Sequence, residues 1–446
     1  MPHFPFGPGA FVALAGALIL LVAATFGVSG AGPRQSPPVT NCTVAYAADD
    51  TGAYGGNNED EVNPLTEIWF VPGEADAYGS MFVGYDDLVI QGGMNEAGLF
   101  FDGLGVREVD APGTPGKPEY TGQNFFVDML SECDSVACVL ERYGGLSMPG
   151  TWNGQVLFGD RYGDSVIFEP LAVIPQVGHF QVATNFFQSE IPPADRTDER
   201  YLTATSMLAD AGTLSVNLMR DVMEATHQEG TVNTVYSTVY DLQAGVIHLY
   251  YFNDFTTEVT FNLREELLQG LHGYEMADLF PANRPAADVA APFRARLSAA
   301  IDRLGPVIVA GDELEDLAGT YEVGPLAFVV KATDQGLAIR QARTPWADVV
   351  PLSPTQFARV TVDGGGVLHE QRLAFSVDGG QATVEISEDQ AGSVVATRLE
   401  APAAPIDWRP VPILLALVAG SGWIWWRSAT RRPRSSGVRL AGGHRS

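Results

Sequence analysis

Asn41-Cys42-Thr43-Val44-Ala45-Tyr46-Ala47 joins a leader to the first run of β-forming residues in this 446-residue chain. Thr43–Ala47 is rich in β-branched and aromatic side chains and reads as a strand. The residue just before it carries the chemistry. Of the 3 cysteines, Cys133 and Cys138 flank a helix break at Asp134-Ser135; they either pair in an oxidising compartment or stay as two buried thiols. Cys42 is the odd one out, and an unpaired cysteine in an exported chain needs an explanation. A cysteine freed as a first residue carries its own base. Its α-amine (pKa about 7.7–8.0) and thiol (about 8.5) both lie near neutrality, so the amine can take the thiol's proton directly or through water. Thiolate attack on an amide carbonyl, an acyl-enzyme and hydrolysis would follow. The residues alone also allow a small buried cysteine or a lipid-modified one, although Pro38-Val39-Thr40-Asn41 lacks the leucine and small residues of a lipoprotein site.

Working outward, Phe11 to Gly32 is an uncharged apolar stretch of signal-peptide or membrane-span length, with Ser29 and Ala31 suited to a signal peptidase. Segment 1–32 is therefore expected to be one or the other. A second apolar run, Pro410 to Trp426, ends in Trp423, Trp425 and Trp426, and Arg427, Arg431, Arg432, Arg434, Arg439 and Arg445 follow it. That order suits a C-terminal transmembrane helix over 410–426 and a basic cytoplasmic tail over 427–446; a buried helix is the alternative. Both ends place the body of the chain outside the cytoplasm, at the cell membrane.

The body is acidic. Lys+Arg total 26 against Asp+Glu 54, a formal charge of -28, which argues against nucleic acid as a partner. With 46% hydrophobic and 18% charged residues the chain is globular. Thr43–Ala47, Ile68–Val71, Gly98–Phe101, Gln155–Phe158, Ser165–Phe168, Thr234–Leu242 and Val246–Phe252 read as strands. Gln123–Tyr143 and Arg200–Thr226 read as helical from apolar recurrence at three and four. Hairpins with helices inserted in blocks predict an α+β layered domain over 42–285. A linker with an amphipathic helix follows (286–311), then a small antiparallel β domain over 312–400 with turns at Asp363-Gly364-Gly365-Gly366 and Asp378-Gly379-Gly380, then a Pro/Ala-rich stalk over 401–409.

The common catalytic motifs are missing: no G-x-S-x-G, no H-E-x-x-H, no phosphate-binding glycine loop. The histidines are scattered, so neither a Ser–His nor a metal mechanism has residues to build on. No cofactor is called for. The cluster Asn58, Glu59, Asp60, Glu61 lacks the spacing and glycine of an EF-hand calcium loop.

Several motifs stand in order along the chain. They are Cys42-Thr43, Gly56-Asn57-Asn58-Glu59-Asp60, Gly93-Met94-Asn95-Glu96-Ala97-Gly98-Leu99, Ala183-Thr184-Asn185, Glu199-Arg200-Tyr201 and Tyr236-Ser237-Thr238-Val239-Tyr240-Asp241-Leu242. Together they resemble the choloylglycine hydrolase family, the linear-amide hydrolases that include bile-salt hydrolases and penicillin V acylases, with relatives in isopenicillin N acyltransferase. The resemblance implies an αββα four-layer N-terminal-nucleophile sandwich and removal of everything before Cys42, which makes 33–41 a propeptide. It implies Cys42 as nucleophile, Asp60 as the acid holding its amine and sulfur, and Asn95 and Asn185 as side chains that steady the amine or donate to the oxyanion. Arg200 would be the active-site arginine. Bile-salt hydrolases usually carry arginine where Asn57 stands, so Asn57 becomes a substrate-binding position and bile salts a less secure substrate. The β domain weakly resembles the small barrel-like module trailing some penicillin-binding-type serine hydrolases.

The function expected is hydrolysis of a small N-acyl amide outside the membrane, with a homo-oligomer as one possibility. Acyl transfer to an amine would use the same residues. A surface binding protein that kept the fold is the reading from another class; an uncleaved leader would favour it.

Overall fold

The computed structural model describes residues 42–122, 124–309, 311–323, 326–334, 336–341, 343–388, 392–399 and 439–440. The expected signal segment, propeptide, stalk and transmembrane helix lie outside these residues, as does most of the tail. No helix among the described residues is long and apolar enough to cross a membrane.

Two antiparallel sheets pack face to face. The first runs β10 (Phe180–Ala183), β1 (Thr43–Asp49), β2 (Gly52–Glu61), β11 (Asn233–Asp241), β12 (Val246–Tyr251), β13 (Asp254–Asn262), with a short β23 (Arg439–Leu440) on its outer edge. The second runs β14 (His272–Glu275), β3 (Thr66–Val71), β4 (Ser80–Tyr85), β5 (Ile90–Asn95), β6 (Leu99–Ala111), β7 (Gly150–Asp160), β8 (Ser165–Glu169), β9 (Ala172–Pro175). Side chains alternate across each strand. Val44, Tyr46, Tyr236 and Tyr240 therefore meet Phe100, Leu104 and Leu157 between the sheets, where the Tyr240 and Phe100 rings lie 5.4 Å apart. The opposite faces take helices. On the first sheet Ala45, Ala47, Tyr54 and Val239 pack with Leu208, Met219 and Met223; on the second, Phe101, Phe158 and Phe168 pack with Phe125, Leu130 and Val139.

Two long helical expectations divide. Gln123–Tyr143 holds α1 (Phe125–Glu132) and α2 (Val136–Gly144), parted at Cys133-Asp134-Ser135; Ser135 Oγ accepts the Cys138 N–H and caps the second helix. Cys133 and Cys138 are disulfide-bonded across that break. Arg200–Thr226 holds α3 (Glu199–Ala209) and α4 (Val216–Thr226), the latter capped by Ser215. Periodicity saw the apolar faces, while the caps set where each helix ends.

The second strand escaped sequence reading altogether. Gly52–Glu61, GAYGGNNEDE, has the composition of a turn, yet it is a central strand buried along almost its whole length. Its glycines let the layers close. A Cβ on Gly55 would meet the Phe100 ring at 2.7 Å, and one on Gly56 would meet Met219 Cγ at 2.9 Å.

α5 (Leu263–Leu267) and α6 (Met276–Leu279) flank β14, and α7 (Arg284–Leu304) leads to the C-terminal module. Beyond a short α8 (Gly311–Glu315), the expected β domain is a closed eight-stranded barrel. Its strands are β15 (Gly319–Val323), β16 (Leu326–Thr333), β17 (Gly336–Arg340), β18 (Ala347–Ser353), β19 (Gln356–Val362), β20 (Leu368–Asp378), β21 (Gln381–Glu388) and β22 (Gly392–Arg398). The pair Tyr321↔Arg398 closes the ring. The β19–β20 turn docks on the sandwich: Asn63 donates its N–H to Gly364 O (2.9 Å) and its Nδ2–H to Val362 O (3.0 Å).

Candidate active site

Cys42 stands at the mouth of β1 and is 3% exposed. Thr43 pairs with Asn58, so one step outward Cys42 and Glu59 fall beside each other on the inner face. Asn58 points the other way, donating to Met223 O (2.8 Å) and Thr226 Oγ1 (3.1 Å). Asp60 is fully buried and accepts from the Thr234 hydroxyl, while its backbone N–H favours the ionised Cys42 sulfur.

Arg200 ties this end of the sheet together. It sits in the first turn of α3, where the N-cap Asp198 accepts the Tyr201 N–H at 2.9 Å and receives Arg200 Nη2 at 3.1 Å. From there Nη1 donates to Cys42 O (2.6 Å) and Asn185 Oδ1 (3.2 Å) and lies 4.0 Å from Asp60 Oδ2. Asn185 follows β10 and donates its Nδ2–H to Gly105 O (2.7 Å). Its amide is thus turned with the oxygen to the arginine and the nitrogen to β6.

Four of the expected residues, Cys42, Asp60, Asn185 and Arg200, therefore form one bonded group. Asn95 does not join it. Both Nδ2 hydrogens go to Leu130 O and Cys133 O, each at 2.8 Å, and its Oδ1 accepts from Ala97 N (3.1 Å) and Leu99 N (3.0 Å). The side chain braces the β5–β6 turn against the end of α1, which is the ordinary work of a turn asparagine. Asn57 is buried on β2, its Oδ1 accepting from the Thr238 hydroxyl and from the Thr238 N–H at 3.3 Å.

Burial dominates the electrostatics. It raises the Cys42 thiol well above its ordinary value, and the charges of Glu59 and Asp60 push the same way against the Asp60 N–H. Asp60 is pushed up to about 8 by burial, with the Thr234 bond and Arg200 opposing. Glu59 also rises to about 8 through burial, although Tyr85 Oη donates to its Oε1 at 2.6 Å. With Asn41 still attached the thiol is neutral at physiological pH, and it becomes a nucleophile only when a cation or base joins it.

Glu59, Tyr85, Thr234 and Thr238 were not recognised from sequence as part of this site. The available signal was alternation: read as a strand rather than a turn, Asn57 and Glu59 share one face and Asn58 and Asp60 the other. The same alternation sends these acids to opposite sides of β2, so they do not converge as a calcium loop would require. Among the described residues no group of His, Cys, Asp and Glu is arranged to hold a metal ion.

No protein-family model and no curated protein sequence matches the chain. Among solved structures it is similar to two single-residue variants of the conjugated bile acid hydrolase of Clostridium perfringens, each at 16% identity and TM-score 0.41, covering 52% of this chain and 96% of that one. It is also similar to penicillin V acylase from Agrobacterium tumefaciens, at 16% identity and TM-score 0.41, covering 53% of this chain and 91% of that one. A likeness of that size assigns no activity to this chain.

Proposed function

We propose that this chain is an amide hydrolase that attacks a linear N-acyl amide with Cys42 once the peptide bond to Asn41 has been cut. The observation that carries the reading is the single guanidinium of Arg200 joining the Cys42 carbonyl, Asn185 and the Asp60 carboxyl at the mouth of β1. A structural arginine on a helix surface has no reason to gather a cysteine's carbonyl, an amide and a buried acid together.

Cleavage before Cys42 adds an α-amine within a few ångströms of the sulfur. Asp60 Oδ2, which has no hydrogen-bond partner among the described residues, is the acceptor that would hold its charged form. The amine then takes the thiol proton as sulfur bonds to the carbonyl carbon, and the carbonyl electron pair moves onto oxygen. On collapse the C–N bond breaks, and the leaving nitrogen takes the proton back from the ammonium. Water, activated by the same amine, attacks the thioester and releases the acid and the thiol. Arg200 supplies the cationic donors that would stabilise the developing oxyanion, and Asn185, whose Nδ2–H donates to Gly105 O, would have to turn its amide to join it.

The Cys133–Cys138 disulfide favours an oxidising compartment, and with the apolar segments 11–32 and 410–426 it supports an extracytoplasmic enzyme held at the membrane by its C-terminus. The test is the mature N-terminus, by intact mass and N-terminal sequencing, followed by an amide panel. Cys42→Ala is expected to retain the leader and lose all turnover. Turnover surviving in that variant, or a stable wild-type protein with Asn41 attached, rejects the proposal.

A further inference from the structure

Beside Cys42, the space between the sheets is walled by polar groups where a packed core would be apolar. Asp102 on β6 alternates with Phe100 and Leu104, which line the inter-sheet core; Glu59 on β2 stands opposite Tyr236 on β11. Asp102, Asn57 and Tyr236 are 0% exposed and Glu59 is 3% exposed. Tyr85 holds one oxygen of Glu59 at 2.6 Å. Glu59 Oε2, Asp102 Oδ1 and Oδ2, Tyr236 Oη and Asn57 Nδ2 have no hydrogen-bond partner among the described residues. Gly92, paired with Asp102 across the strands, leaves room for the carboxyl, because a Cβ there would run into Asp102 Oδ2.

Buried polar atoms without partners are costly and uncommon. Five of them facing one interior beside a nucleophile mark a place where something binds. Their chemistry says what. Three are carboxyl oxygens, a phenol can act either way, and only the Asn57 nitrogen must donate. An aliphatic or steroid acyl group would leave every one of them unpaired. A group carrying several N–H donors and a positive charge satisfies the acceptors and compensates the acids at once.

We infer that this polar interior between the sheets recognises a cationic group, an ammonium or guanidinium, on the substrate, with Asp102 and Glu59 as the residues that determine specificity. Only the word substrate rests on the amide-hydrolase reading; the cation site stands on its own geometry. A formal charge of -28 would also concentrate cations around the protein. Burial, then the charge of Glu59, lifts Asp102 well above the carboxylate range, and burial lifts Glu59 to about 8. Glu59, held to about 8, thus keeps its proton at neutral pH, and a cation brought against it expels that proton.

Isothermal titration of the isolated wild-type chain at pH 7 with n-butylguanidinium and with its neutral isostere N-butylurea tests this without any turnover. The guanidinium is expected to bind at least about tenfold more tightly, the return on one charge-assisted hydrogen bond. Its heat should differ between phosphate and Tris buffers, showing proton release. Asp102→Asn and, separately, Glu59→Gln should each erase the preference, so either variant serves if the other fails to fold. Equal affinities, no binding of either probe, or a preference that survives in a folded variant overturns the inference. Amide cleavage and the mature N-terminus, measured on the same preparation, report on the hydrolase reading independently.

Discussion

Arg200 makes a set of contacts that a lysine cannot reproduce. Its planar fork reaches Cys42 O, Asn185 Oδ1 and Asp198 Oδ2 at once, and a lysine offers one point charge on a flexible stem. Losing one or two charge-assisted bonds of about 1.5–3 kcal/mol each, Arg200→Lys is expected to lower kcat/KM by about 10- to 100-fold or more, with most of the loss in kcat; steady-state kinetics on any cleaved amide checks it. Glu59 makes a prediction about pH. An unfolded Glu releases its proton near 4.3, while in the folded chain burial holds it to about 8. Between those values the native state binds the extra proton, so stability is full below about pH 4 and is lost as pH rises toward 8, at no more than about 1.4 kcal/mol per pH unit for one group. Denaturant melts from pH 5 to 8 should show a shallower fall in Glu59→Gln than in wild type, and an unchanged slope would show that Glu59 is ionised in the fold.

At the scale of elements, β2 is where local propensity and tertiary structure disagree most. Its three glycines, two amides and three acids, against a single aromatic, make a poor strand former by composition. Pairing to β1 on one side and β11 on the other nevertheless holds it in the centre of the sheet. The residues that spoil the strand signal are the ones the site uses: Asn57 and Glu59 inward, Asp60 toward Arg200. Gly55 has a packing reason, since the Phe100 ring lies where a side chain would start. Gly55→Ala should cost about 1–3 kcal/mol of stability through overpacking, lowering the midpoint in thermal melts; a neutral effect would mean that Phe100 can move aside. The strands rich in Val, Ile, Phe and Tyr were legible in the sequence because they carry their own propensity. The helix break at Asp134-Ser135 was legible too, but the one between Ala209 and Val216 was not, because it depends on a Ser215 cap that periodicity does not weigh.

Across the whole molecule, the barrel is fastened to the sandwich by buried charge. Arg359 on β19 is 5% exposed and faces Asp87, Asp86 and Glu67 from the sandwich. Burial draws the guanidinium down to about 10 against the pull of those acids, and burial lifts Glu67 to about 8 and Asp87 to about 6. Trp69 Nε1–H donates to Arg343 O at 2.9 Å across the same contact. Arg359→Met would strand the carboxyls without a cation, at a cost of about 3–5 kcal/mol. The expected result is a lower melting midpoint, more so at pH 8 than at pH 5, and faster protease cleavage in the 305–311 connection after α7. A barrel that stays docked at pH 8 in that variant would assign the fastening to the Asn63 and Trp69 bonds and the apolar cluster the two units share. The docked β19–β20 turn also touches the site's support, because a Cβ on Gly364 would lie 3.0 Å from the Tyr85 ring, and Tyr85 holds Glu59.

By itself the sequence determined the acidic, globular character of the chain, the layered α+β order and the β-rich C-terminal module, while Cys42, Asp60, Asn185 and Arg200 were singled out together only through the family resemblance. Those readings come from composition, local periodicity and short motifs, which are properties of neighbouring residues. Only the tertiary structure decided that Asn95 spends all its bonds on a turn, that GAYGGNNEDE is a buried strand, and that the last module closes into a barrel. It alone brought Glu59, Asp102 and Tyr236 to one polar interior. Each of these depends on partners far away in the chain, and burial among distant partners is what turns an ordinary carboxyl into one that holds its proton and waits for a cation.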